Sequence, residues 1–185
     1  MIPSRVEAFR IIKTCCMPGH ILCHSLMVGR VALVIGTWLK SSGFAIDLAL
    51  VDRSSLLHDI CKMGCIGTTK DHALMAEEFL CREGFPRVGE VVGRHVRLNS
   101  FDVGEAMVVN YADKRVMHER VVSLTRRFLD LMERYGTDDA RRERILLHHQ
   151  TCLNVQDILY ERCNEDLEGL VDLNLIPFNQ ALNGG

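Results

Sequence analysis

The stretch "SSLLHDICKMG", residues 54–64, sets His58 beside Asp59 at the end of an apolar run, with Lys62 three residues on. Adjacent side chains on a helix point about 100° apart. Such a pair serves one purpose only if other residues gather round it. Four are available: His24 in a long apolar segment, His72 opening "HALMAEEFL", His95 closing "VVGRHV", and Asp113 within "VVNYADKRV". Helix bundles build metal sites in this way, from inward side chains on facing helices. Imidazole and carboxylate without thiolate suit iron, manganese, cobalt or magnesium better than a structural zinc site. Asp59, with two oxygens, is the natural bridge between two metals.

The elements that must position these residues read as helices. In "HSLMVGRVALVIGTWLK" the residues Val28, Val31, Ala32, Ile35 and Leu39 form one stripe, and "DLALVDRSSLLHDI" repeats the pattern with Leu48, Val51 and Ser55. Thr69 and Asp71 are cap candidates for the next helix and Gly84 its terminator. Pro86 suits the first turn of the one after. Residues 102–136 read as one long helix or two, and residues 138–163 as another. No alternating strand stands out, so the expected fold is all-α, a single-domain bundle of about seven helices. Residues 1–136 are expected to carry the metal-binding domain and residues 137–185 a helical extension packed on it. The tail "VDLNLIPFNQALNGG" is less periodic and is expected to fray or pack loosely.

Composition narrows the class. The chain has 185 residues, 48% hydrophobic and 25% charged, with a formal net charge of −2. That is a globular balance, and it argues against a nucleic-acid protein relying on bulk positive charge. The longest apolar run is broken by His24 and Arg30, which argues against a membrane span. The start lacks a secretory pattern, so a cytoplasmic location is expected. The eight cysteines include no Cys-x-x-Cys pair. Reduced, mostly buried thiols are expected rather than metal ligands.

The order His24, His58-Asp59, Asp113 resembles the HD-domain metal-dependent phosphohydrolases. Local context extends the likeness, in "HSLMVGRVA", "LLHDICK" and "NYADKRV", over residues 20–120. The resemblance implies that His24, His58, Asp59 and Asp113 bind a first metal, with Asp59 bridging to a second. His72 and His95 match the two further histidines of binuclear members, so two divalent ions are implied. The nearest branch is the small bacterial HD hydrolases that include symmetrical dinucleoside tetraphosphate hydrolases, which share a His-Asp-Ile-x-Lys run. Cyclic dinucleotide phosphodiesterases of the HD-GYP type fit less well. No Gly-Tyr-Pro occurs, and the one double histidine, His148-His149, lies beyond Asp113.

A metal pair about 3.5–4 Å apart can hold a bridging hydroxide and polarise a phosphoryl oxygen. A nearby cation then stabilises the charge that gathers there. Lys62 is the first candidate for that cation, its rival role being a lysine at a helix end. Arg30, Lys114 and Arg115 follow, while Arg94 and Arg97 flank His95 and could meet a second phosphate or a nucleotide. His20, His118, His148 and His149 read as ordinary hydrogen-bonded histidines, with His20 also within reach of a cleft mouth. The charged runs "RRFLDLMERYG" and "DDARRERI" read as solvated faces, the second with a lid as its alternative.

The leading expectation is a phosphohydrolase acting on a nucleotide or another small phosphorylated substrate, with a homodimer left open. Two rivals are an HD-fold di-iron oxygenase and a non-catalytic nucleotide-binding HD module. Specificity would lie in loops such as "MGCIGTTK" and "RLNSFDVGE", which carry no readable code.

Overall fold

A computed structural model describes residues 1–175. The described residues form a single-domain all-α bundle of nine α-helices, one short hairpin and a closing 3-10 turn. The helices are α1 (Arg5–Thr14), α2 (Gly19–Ser41), α3 (Leu48–Leu57), α4 (Lys62–Cys65), α5 (His72–Arg82), α6 (Pro86–Gly93), α7 (Glu105–Lys114), α8 (Leu124–Tyr135) and α9 (Asp139–Cys163). Two exceed the expected seven. The four-residue α4 is too short to show a period. The first, α1, is announced by a capping box that periodicity overlooks: Glu7 N–H donates to Ser4 Oγ at 3.2 Å, and Ser4 N–H to Glu7 Oε2 at 2.7 Å.

Helix α2 is the axis. It packs on α3, α7, α9 and the hairpin, and its predicted stripe Val28, Val31, Ala32, Ile35 and Leu39 is fully buried. Each such side chain contributes about 1.5–3 kcal/mol by leaving water. By length and mean hydropathy, 1.6, this helix could cross a membrane. Those same apolar residues are here the core of the bundle. Close approach to α3 rests on small residues: a Cβ on Gly36 would stand 3.0 Å from Leu48 Cδ2.

Caps set the other boundaries. Asp71 accepts from Ala73 N–H and starts α5, and Gly84, at φ +89°, turns the chain after it. Pro86 occupies the first turn of α6. The long segment 102–136 divides into α7 and α8, separated by the two-residue strands β1 (Val116–Met117) and β2 (Arg120–Val121). They pair antiparallel with Val116 opposite Val121. Strands this short leave no alternation to read, which is why none was expected.

Helix α9 packs on α2, α7 and α8, and Tyr111 of α7 donates its hydroxyl to Gln156 at 2.7 Å. The first residues of the tail, in the 3-10 turn Gly169–Leu175, are pinned rather than frayed. Leu173 O accepts from Arg30, and Asn174 exchanges two 2.9 Å hydrogen bonds with Val121. Residues 176–185 of that tail lie outside the described residues. All eight cysteines are free, but only Cys65, Cys152 and Cys163 are buried, fewer than expected.

Candidate metal centre

Six side chains from five places in the chain converge at the heart of the bundle. His24 comes from the second turn of α2, His58 and Asp59 from the turn after α3, and His72 from the first position of α5. His95 follows α6, and Asp113 lies in the last turn of α7. The helix expected to run through the doublet in fact stops at Leu57, with His58 as its cap.

That stop has a chemical consequence. The last carbonyls of a helix lack intrahelical donors. His58 Nδ1–H fills one of them, donating to Ser55 O at 2.7 Å, and His95 Nδ1–H does the same for Val92 O at 2.7 Å. His24 Nδ1–H instead reaches across to His118 O at 2.8 Å. That carbonyl belongs to the hairpin turn, where His118 takes φ +57°. All three rings therefore present Nε2 inward, in the tautomer that metal-ligating histidines require. The hairpin thus serves the site by orienting His24.

The inward atoms form two groups that share His58. His24, His58 and Asp113 have ligand atoms within 4.8 Å of one another, and so do His58, Asp59 and His95. In the first, Asp113 Oδ1 lies 2.9 Å from His24 Nε2 and 3.6 Å from His58 Nε2. In the second, Asp59 Oδ1 lies 3.7 Å from His95 Nε2 and 3.3 Å from His72 Nε2. The two Nε2 atoms of His72 and His95 are 3.1 Å apart. Donors about 2.1 Å from one cation stand about 3.0–3.4 Å from each other in octahedral or tetrahedral arrangements, which matches this spacing.

Burial sharpens the point. His58, Asp59 and His95 are at most 2% exposed, yet His58 Nε2 and Asp59 Oδ1 have no hydrogen-bond partner. Orphaned buried polar atoms cost free energy unless something satisfies them, and a cation satisfies both at once. Electrostatics agree. Burial opposes a charged His58, but Asp59 and Asp113 outweigh it and hold its pKa up at about 10. Burial likewise penalises both carboxylates, but the imidazoles around Asp59, and Lys114 with His24 and His58 around Asp113, hold them well below the usual range. His95 is pushed down to about 4, first by burial and then by the charge on His58. The two carboxylates hold a positive charge on His58 at the middle of the nest, and the donor set is one that could hold a metal ion.

Two lysines bracket it. Lys62 Nζ donates to Asp59 Oδ2 at 2.6 Å, although the helix that would have aligned them is broken. Lys114 Nζ donates to Asp113 Oδ2 at 2.5 Å and to His95 O at 3.3 Å. Asn110 Nδ2 also donates to His95 O, at 2.9 Å, fixing that turn.

The other cations named above lie elsewhere. Arg30 donates to Leu173 O at 3.2 Å. Arg94 pairs with Glu90 at 2.8 Å beside a separate depression. Arg115 turns to the opposite side of α7 and is fully buried there, bonded to Val122 O, Tyr111 Oη and Leu167 O.

The centre opens to solvent through three adjoining spaces around Tyr135. One of about 240 Å³ lies directly over Asp59, His72, His95 and Asp113. One of about 610 Å³ leads out past His24, Lys62 and His20. The third, about 620 Å³, runs along α9 and meets the first at Val96, Tyr135, Ile145 and His148. Among the described residues its wall carries Arg97, Arg141 and Arg144 and no acidic side chain. His148, read as an ordinary histidine, is therefore a cavity wall; burial, then Lys114, pushes its pKa down to about 4.

One residue escaped the sequence reading. Arg127, inside the charged run taken as a solvated face, lines both spaces nearest the ligands. The signal was present in the period of α8: Leu124, Arg127, Phe128, Leu131 and Tyr135 share one face. Comparison of the chain with protein-family models, curated proteins and solved structures found no match.

Proposed function

We propose that this chain is a metal-dependent phosphohydrolase of the HD type, cleaving a phosphoester or phosphoanhydride of a nucleotide or similar small phosphorylated molecule. The observation that carries the reading is the pair of ligand groups sharing His58, with buried orphan atoms on His58 and Asp59, beneath a cleft walled by cations. His24, His58, Asp59 and Asp113 would hold one divalent ion, and Asp59, His72 and His95 a second. Iron, manganese, cobalt and magnesium all suit these donors. When bound, such ions supply Lewis acidity and water of lowered pKa.

The chain's own residues supply the rest. Nδ1 contacts to Ser55, Val92 and His118 hold the imidazoles neutral on their inward side once a cation replaces the proton on His58. Lys62, its side chain 42% exposed at the cleft floor, can turn from Asp59 to a phosphoryl oxygen. Lys114 is 5% exposed and stays on Asp113 and the His95 turn. The arginine-bearing space along α9 supports an anionic substrate, with Leu98, Ile145 and Leu147 offering an apolar surface to its organic part. This preponderance of cations favours phosphate chemistry over oxygen activation.

Metal analysis of anaerobically purified protein, followed by a phosphate-release screen over nucleotides and dinucleoside polyphosphates, tests the reading. The expected result is two divalent ions per chain and phosphate release abolished by chelation. Iron-dependent oxygen uptake without phosphate release would replace it with the oxygenase reading. Binding without turnover of any phosphorylated compound would replace it with the non-catalytic module.

A further inference from the structure

We propose that Arg127 grips the phosphoryl group alongside Lys62, an arginine fork set over the candidate metal centre by α8. This rests on the phosphohydrolase reading and assigns a catalytic role to a side chain on an element outside the ligand set.

Arg127 occupies the most inward position of the cations on α8; Arg126 is exposed, and Arg134 lines only the outer 610 Å³ space. The Arg127 side chain is 13% exposed, against 39% for Arg134 two turns on. It borders the 240 Å³ space together with Asp59, His72, His95 and Asp113, and the 610 Å³ space together with His24 and Lys62. It therefore stands where the two spaces meet above the ligands.

Its donors are unevenly used. Nη1 donates to Asp130 Oδ2 at 3.2 Å, while Nε is buried without any acceptor. Asp130 Oδ2 also receives Arg134, so one carboxylate serves two guanidiniums and positive charge is left over. A buried guanidinium N–H without an acceptor costs free energy that an incoming oxyanion would recover. The guanidinium is planar and matches two phosphoryl oxygens at once, which an ammonium does not.

The other two cations of the floor both contact a candidate metal ligand: Lys114 donates to Asp113 and the His95 carbonyl, and Lys62 must release Asp59 before it can turn to an anion. Arg127 alone of the three makes no contact with a candidate metal ligand, so it can bind an anion without loosening the centre. Its backbone is firmly seated: the neighbouring Phe128 is buried, stacks on His149 with ring centroids 4.6 Å apart and meets His148 edge-on at 5.4 Å. A fixed helix presenting a pre-aimed fork is what stabilisation of a charge-gathering transition state requires.

The test uses the metal-loaded full chain and inorganic phosphate, with tungstate as a second oxyanion, read by calorimetry. Arg127→Ala should weaken anion binding by about 10- to 100-fold with metal content unchanged. Arg127→Lys should fall between the two, and millimolar guanidinium should restore binding to Arg127→Ala but leave wild type unaltered. Where substrate is turned over, the same rescue should appear in kcat. Anion binding that survives Arg127→Ala, or a loss that guanidinium does not repair and that Arg127→Lys shares in full, overturns the assignment while leaving the phosphohydrolase reading intact. A metal-loaded wild type that binds neither oxyanion removes both.

Discussion

Three consecutive residues at the end of α7 part company. Asp113 and Lys114 turn into the ligand nest, while Arg115 turns away into a clasp that ties the hairpin to the C-terminal turn. Both regions bury charge almost completely, yet they are finished differently. In the clasp, Arg115 Nε donates to Val122 O at 2.7 Å, and Nη1 to Tyr111 Oη at 2.7 Å and Leu167 O at 2.6 Å, with Glu168 at 3.7 Å from Nη2. Its charge is spread over three acceptors and faces the Glu168 carboxylate, although Nη2 itself makes no hydrogen bond. In the nest, His58 Nε2 and Asp59 Oδ1 are left without partners. A buried charge wrapped in carbonyls holds a fold together. A buried set of acceptors with vacancies is built to receive something.

The sharpest way to break this contrast is Asp59→Ala. Metal-dependent hydrolysis should fall to background while the far-UV circular dichroism stays helical, since the residue supports ligands and not core packing. Turnover at the wild-type rate would sink the two-metal mechanism.

Arg115→Ala should do the reverse. Deleting the centre of a buried network costs about 3–5 kcal/mol, which at this chain length lowers Tm by roughly 10 °C or more. Below that temperature, metal content should match wild type. A Tm within two degrees of wild type would mean that the clasp is dispensable.

Filling the nest should stabilise the protein. At a free metal concentration of 100 Kd the gain is about 2.7 kcal/mol, visible as a Tm that drops on chelation and returns on adding manganese or iron. The same chelation should leave the Tm penalty of Arg115→Ala nearly unchanged, because the two regions satisfy their charges independently.

The smallest effect belongs to the rim of the clasp. Asn174→Ala removes two hydrogen bonds to Val121, worth about 1–2 kcal/mol together. Denaturant unfolding should register that loss without any change in bound metal.

Helical class was readable because apolar residues recur at helical spacing, and the α2 stripe proved fully buried as its period implied. The boundaries set by Asp71, Gly84 and Pro86 were also readable, since capping chemistry is local. Less legible were the features that depend on what lies opposite. Periodicity placed Arg127 on the same face as Phe128 and Leu131, but whether that face met solvent or a cavity depended on α9 and the ligand turns. A helix continuing past Asp59 would bring Lys62 to a similar side. They meet through a turn instead, because His58 uses its ring to cap α3.

The sequence by itself determined the helical class, the stripe that became the core, and the residue types at the centre: imidazoles and carboxylates spread over helices, with lysines beside them. Only the tertiary structure decided that these six side chains share one buried space. It also turned Arg115 from the site and Arg127 towards it, and gave a two-residue hairpin the task of orienting His24. The physical reason is range. Local sequence encodes which face of an element avoids water, but a vacant acceptor or an unused donor exists only relative to groups brought in from far along the chain.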